Sequence, residues 1–177
     1  NGASYADCTS PYNLTSLAQG ENNFKIKGFD SLAQVSGDLL YVWNYDTQVP
    51  ILSFITKPAE FTKNKSELVK VLVKEDQALD SIEFLLDGSS LSKSLADTIT
   101  LADLAETKHL ISVVATDKAG NKSAVLPYSF FSDYTAPVLA VNPILTPSNL
   151  MDLSVPVAAT DNTVDVNNTI LLFYDLD

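Results

Sequence analysis

Apolar and polar residues alternate with period two over several short stretches of this chain, which is the pattern of strands with one buried face. Phe24, Ile26 and Gly28 alternate with Lys25 and Lys27, and Ile111, Val113 and Ala115 stand in the same phase further along. Val69, Val71 and Val73 alternate with Lys70 and Lys74, while Ile82, Phe84 and Leu86 alternate with Ser81 and Glu83. No segment carries a helical stripe. Strands are predicted near Ile51 to Phe54, Leu68 to Lys74, Ser81 to Leu86, His109 to Thr116 and Ala124 to Phe131, with a weak edge near Thr98 to Leu101. Turn signals fall between them. Asp87-Gly88 ends one strand, Ala119-Gly120-Asn121 turns another, and Pro50 and Pro137 follow Asp46 and Asp133. The spacing predicts an all-β chain with the turn intervals of a Greek-key sandwich.

The alternation repeats at long range. Residues 14 to 52 align without a gap on residues 101 to 139, an offset of 87. Leu14/Leu101, Leu17/Leu104, Ala18/Ala105, Asp30/Asp117, Tyr41/Tyr128, Asp46/Asp133, Pro50/Pro137 and Leu52/Leu139 are identical pairs, and Phe24/Ile111, Ile26/Val113 and Trp43/Phe130 are conservative. A period of that length is too long for a solenoid unit and fits one small sandwich.

Composition narrows the functions open to such a fold. The 177 residues are 46% hydrophobic, enough for packed cores, and carry a formal net charge of −11. All 11 basic residues are lysine. An acidic chain without arginine lacks the bidentate reader of phosphates and repels polyanions, so nucleic acid and anionic membrane are poor partners. One cysteine, Cys8, and one histidine, His109, exclude a Cys/His zinc cluster and a CxxC redox pair. No apolar run is long enough to span a bilayer, and NGASYADC has neither a basic segment nor an apolar core of a signal peptide. No catalytic constellation is visible, so no enzyme activity is expected.

The run HLISVVATDKAGNKS (His109 to Ser123), followed by Asp133-Tyr134-Thr135-Ala136-Pro137, resembles the end of a bacterial immunoglobulin-like (Big-type) repeat and the linker into the next one. CTSPYNLTSLAQGENNFKIKGFDS (Cys8 to Ser31) and WNYDTQVP (Trp43 to Pro50) are similar to the same closing half. The resemblance implies an all-β fold of tandem immunoglobulin-like Greek-key β-sandwiches arranged as beads along an extended fibre, in a surface or adhesin-like protein, extracellular, and a spacer rather than a catalyst. It also implies that the cysteine of a CTSP segment pairs with one three residues before an Asp-Gly turn. Phe84 and, by splicing the ends, Tyr174 hold that place here. Cys8 is therefore either paired beyond these residues or a free, partly buried thiol. The first copy departs from the family pattern at Ser31-Leu32-Ala33-Gln34, where the second has Lys118-Ala119-Gly120-Asn121.

With boundaries at the Asp-x-x-x-Pro linkers, residues 49–135 form one complete domain, 1–48 the closing half of another, and 136–177 an opening half. The halves are complementary, and Leu176-Asp177 joined to Asn1-Gly2 imitates Leu86-Asp87-Gly88. A half sandwich exposes a bare core face and open edges. Two arrangements would cover it: copies of the chain packed head to tail, or adjacent repeats of one longer chain. The expected role is a structural segment of an extracellular bacterial fibre, surface filament or adhesin stalk; the alternative is a non-catalytic spacer of a larger secreted enzyme.

One end of such a sandwich gathers the start of its first strand, the loop after its second and the turn between its last two. That brings Asp46, Glu75, Asp76 and Asp117 to one junction, and Asp133, Asp161 and the spliced Asp30 to the next. Converging carboxylates without arginine make Ca²⁺, a hard cation with oxygen ligands, the one candidate cofactor. Asp117 and Asp30 otherwise serve as acceptors of backbone N–H groups in their own turns. His109 reads as an ordinary strand residue, since its counterpart is Asn22 and it has no partner histidine or cysteine. Tyr41, Trp43, Tyr128, Phe130 and Phe131 read as core or sheet-face packing rather than a sugar platform.

Overall fold

The computed structural model describes residues 5–75, 77–141 and 157–161, and every regular element among them is a strand. In chain order these are β1 (Gly20–Ile26), β2 (Leu39–Tyr45), β3 (Ile51–Thr56), β4 (Phe61–Thr62), β5 (Glu67–Lys74), β6 (Leu79–Leu86), β7 (Ser89–Ser94), β8 (Thr98–Leu101), β9 (Lys108–Asp117), β10 (Leu126–Ser132), β11 (Val138–Val141) and β12 (Val157–Thr160). β3-β5-β8 form one sheet and β4-β10-β9-β6-β7 a second. β4 runs parallel to β10, and the other pairings are antiparallel. Among the described residues, β1-β2 and β11-β12 are separate two-stranded sheets. The chain is an all-β immunoglobulin-like module with a central two-sheet sandwich.

The predicted alternation places the core between those two sheets. Val69 and Val71 of β5 and Leu101 of β8 face Ile82 and Phe84 of β6, Ile111, Val113 and Ala115 of β9, and Phe130 of β10, all at most 1% exposed. Thr98 to Leu101 is the edge strand expected there: it pairs only with β5, at the margin of the three-stranded sheet, and still holds a fully buried leucine. Within the central sandwich two strands escape the period-two reading. β7 is Ser-Ser-Leu-Ser-Lys-Ser, with no apolar face, and follows β6 through a two-residue Asp87-Gly88 turn with φ of 51° and 83°, the left-handed geometry that Asp-Gly hairpins favour. β4 has two residues and is held by Phe131 N–H to Glu60 O (2.8 Å) and Asp133 N–H to Thr62 O (2.8 Å), with Phe61 stacked on Phe131.

β1-β2 reproduces β9-β10 at an offset of 87 residues down to individual hydrogen bonds. Phe24 pairs with Tyr41 as Ile111 pairs with Tyr128, and the isolated bridge Phe29–Val35 matches Thr116–Lys122. In the turns, Gln34 N–H donates to Asp30 Oδ1 (2.8 Å) and Asn121 N–H to Asp117 Oδ1 (2.9 Å). Gly28 N–H donates to Ser36 Oγ (2.9 Å) and Ala115 N–H to Ser123 Oγ (3.0 Å). The Ser31-Leu32-Ala33-Gln34 turn therefore keeps the geometry of its counterpart despite its different sequence. Ala33 takes φ of 60° where Gly120 takes 93°, a left-handed conformation that costs a residue with a Cβ about 1 kcal/mol or more.

His109 is 5% exposed. Its Nδ1 lies 2.7 Å from Asp87 Oδ2 and its Nε2 3.0 Å from Ala105 O, while the ring packs on Phe130. An ionised carboxylate and a carbonyl only accept, so both bonds form together when both ring nitrogens carry protons. Asn22 does half of this in the first copy, donating from Nδ2 to Ala18 O (2.7 Å). Denaturant titration is expected to show His109→Leu destabilised by about 1–3 kcal/mol, because Ala105 O and Asp87 lose a partner. His109→Asn, which restores the carbonyl contact of the first copy, is expected to lose about half as much.

Candidate functional site

Strand ends build the site. Asp46 follows β2, Glu75 follows β5, and Asp117 closes β9 where the chain turns towards β10. Carboxylate oxygens of these three residues lie within 4.8 Å of one another, with Asp117 buried and the other two half-buried. Asp76 lies outside the described residues.

Each carboxylate is aimed by a local bond. Asp46 Oδ1 accepts from Gln48 N–H (2.9 Å) and from the Gln19 amide, while Asp46 Oδ2 is buried without a hydrogen-bond partner. Glu75 Oε1 accepts from Gln77 N–H at 3.3 Å. Asp117 Oδ1 accepts the Asn121 N–H, and Oδ2 accepts the Asn121 side-chain amide (2.9 Å). That amide also donates to Asp46 O (3.1 Å), so one side chain ties the end of β2 to the β9-β10 turn. Burial pushes the Asp117 carboxyl up, but hydrogen bonds from the Asn121 side chain and from the N–H groups of Asn121, Ala119 and Gly120 outweigh it, leaving a value below the ordinary 3.8.

The other predicted carboxylates occupy equivalent places without forming a second such trio among the described residues. Asp133 follows β10 as Asp46 follows β2, and Asp161 follows β12 as Glu75 follows β5. Asp30 sits in the first-copy turn, exposed, and accepts from Leu32 N–H (2.9 Å) as well as Gln34 N–H. Asp30 and Asp117 thus do accept backbone N–H groups in their own turns.

The same linker clasp occurs twice, a feature the sequence reading missed. Gln19 Oε1 accepts from Thr47 N–H (3.1 Å), and Glu106 Oε1, 87 residues on, accepts from Tyr134 N–H (3.1 Å). The Gln19/Glu106 pair falls inside the aligned window, so the signal was there to be found. The aromatic set divides. Phe130 is fully buried, Tyr128 is half-buried and donates its hydroxyl to Pro58 O (3.0 Å), and Phe131 stacks on Phe61. Tyr41 is 65% exposed and stacks on half-buried Trp43. Cys8 is exposed rather than partly buried and, as the single cysteine, has no disulfide partner within these residues.

Asp117 gives a pH signature with a definite sign. Its folded value is depressed, so its contribution is complete above 3.8 and is lost as pH falls below that towards the folded value. In chelator, Asp117→Asn is expected to be less stable than the parent by about 1–3 kcal/mol at neutral pH, with the gap closing as the medium is acidified below 3.8. Denaturation series at stepped pH read this directly.

No family model matches the chain, and no curated protein matches it. Among solved structures it is similar to fibronectin(III)-like modules of Clostridium thermocellum CbhA, at 19% identity and a TM-score of 0.41 over 46% of this chain and 96% of that one. It is also similar to the Clostridium perfringens spore cortex lytic enzyme SleM, at 15% identity and a TM-score of 0.38, over 62% of this chain and 38% of that one. Both likenesses are faint, and the fold stands on the strand pairing itself.

Proposed function

We propose that this chain is a structural segment of an extracellular bacterial fibre, surface filament or adhesin stalk, built from tandem immunoglobulin-like units whose junctions are stiffened by Ca²⁺. The observation that carries this reading is the doubled closing hairpin. β1-β2 and β9-β10 share register, turn bonds and linker clasp, and the first of them runs through Asp46 into the next unit.

Mechanically, a spacer needs linkers that resist bending. Gln19 and Glu106 hold the residue after each linker aspartate, Pro50 is buried in the following unit, and Asn121 bridges the junction. Proline fixes its own φ and keeps the preceding residue extended. Asp46, Glu75 and Asp117 fit a hard cation: all donors are oxygen, they come from both sides of the junction, and Asp46 Oδ2 is desolvated with no hydrogen-bond donor to compensate it. A bound Ca²⁺ would neutralise the carboxylate repulsion that otherwise pushes the two units apart.

Small-angle scattering and thermal melts, each with calcium and with chelator, test both parts. Calcium is expected to raise the melting temperature of the parent and leave Asp46→Asn unmoved, and the particle is expected to be elongated in both buffers. Identical melts with and without calcium remove the metal from the proposal. A compact particle defeats the stalk itself.

A further inference from the structure

The two flanking hairpins present core-type faces to solvent, and the central sandwich shows what covers such faces. In that sandwich the inner faces of β9 and β10 pack against β3 and β5. Ile111, Val113 and Phe130 are fully buried together with Val71, and Leu52, Phe54 and Val73 pack onto them. β1 and β2 carry the same face in the same register: Phe24 stands for Ile111, Ile26 for Val113 and Trp43 for Phe130. Ile26 is 37% exposed where Val113 is 0%, and Leu39 and Tyr41 on that face are 68% and 65% exposed.

β11 and β12 carry the complementary face. Leu139–Ala159 and Val141–Val157 pair as Leu52–Val73 and Phe54–Val71 do. Val157 is 42% exposed where Val71 is 1%, and Leu139 and Val141 are 58% and 59% exposed. Among the described residues, each pair of strands therefore lacks the partner that the other one resembles.

We propose that β11-β12 of one copy docks on the β1-β2 face of a second copy, rebuilding between two molecules the sheet-on-sheet contact that β3-β5 makes with β9-β10 within one. This rests on the reading of the chain as a stalk of repeated units and names the partner of its exposed faces. The contact is heterologous: each copy offers one face of each kind, so association continues head to tail rather than closing as a two-fold dimer. The docking also sets Asp30 of one copy near Asp133 and Asp161 of the other, the places that Asp117, Asp46 and Glu75 hold in the central unit.

The test uses the 177-residue chain in calcium buffer, by sedimentation velocity over a concentration series, with Trp43 fluorescence as a second readout of β2. The parent is expected to form a ladder of oligomers that grows with concentration, with blue-shifted Trp43 emission. Ile26→Asp and Val157→Asp each put a carboxylate into one of the two faces, and each alone is expected to associate roughly a hundredfold more weakly. Mixed in equal amounts they should form a one-to-one dimer and stop, because Ile26→Asp keeps a sound β11-β12 and Val157→Asp a sound β1-β2. Both substitutions lie outside β3 to β10, so an unchanged melt of the central sandwich shows that the chain has stayed folded. A parent that remains monomeric throughout overturns the docking, whether its faces stay open or are covered from within the same molecule. Association that survives Val157→Asp, or a mixture that stays monomeric, overturns it equally. A parent that is monomeric yet elongated in scattering defeats the docking while leaving the stalk reading intact.

Discussion

A β-hairpin buries one face only when a second sheet supplies the other half of the contact, and this requirement orders the whole chain. In the central unit it is met: the three-stranded sheet β3-β5-β8 covers β6, β9 and β10, and the residues between them are almost wholly withdrawn from water. β1-β2 is the same kind of hairpin in the same register without that cover. Removing apolar surface from water yields about 25 cal/mol per Å², so a bare face of this size is a standing drive to association. On the proposed reading, the linkers, clasps and carboxylates set how units follow one another, and the exposed faces supply the drive to bring them together.

The polar parts of the repeat follow from the same geometry. Strand pairing leaves the ends of each hairpin with N–H and C=O groups that have no ladder partner, and both copies satisfy them with side chains at identical positions. Ser36 and Ser123 take an N–H from across the turn, Asp30 and Asp117 take the turn amides, and Asn22 and His109 reach the carbonyl four residues before them. His109 does more than Asn22 because Asp87 is within its reach, which couples the turn after β6 to the start of β9. Its burial reflects this brace and calls for no chemistry beyond it.

Much of this was legible in the sequence because it depends on local periodicity. The inner faces of β5, β6 and β9 alternate cleanly, and the offset of 87 gave the hairpin equivalence before any coordinates. β7 and β4 were not legible for physical reasons. An edge strand such as β7 has no face to bury and shows no alternation, and a two-residue strand such as β4 exists only through its backbone bonds to β10. The approach of Asp46, Glu75 and Asp117 was legible because sandwich topology sends those strand ends to one pole, while Asp76, expected with them, lies outside the described residues. The Asn121 bridge to Asp46 was not, since an asparagine in a turn looks the same in sequence whether it faces solvent or the preceding unit.

The trio also bears on how the end of β2 meets the central sandwich. Three carboxylates within 4.8 Å repel one another, and burial removes the water that would screen them, so the arrangement is costly in isolation. Asp117 offsets its share through turn amides that exist in any copy of the hairpin, which makes it an acceptor whether or not a neighbour is present. Asp46 cannot do so: one oxygen is satisfied by Gln48 and Gln19, while the other is buried at the junction with no donor facing it. Asp46 Oδ2 thus sits desolvated at the end of β2 without a hydrogen bond that offsets the cost. On the proposed reading, a cation that neutralised that oxygen would tighten the end of β2 against the central sandwich without touching the apolar core, which lies between the two sheets.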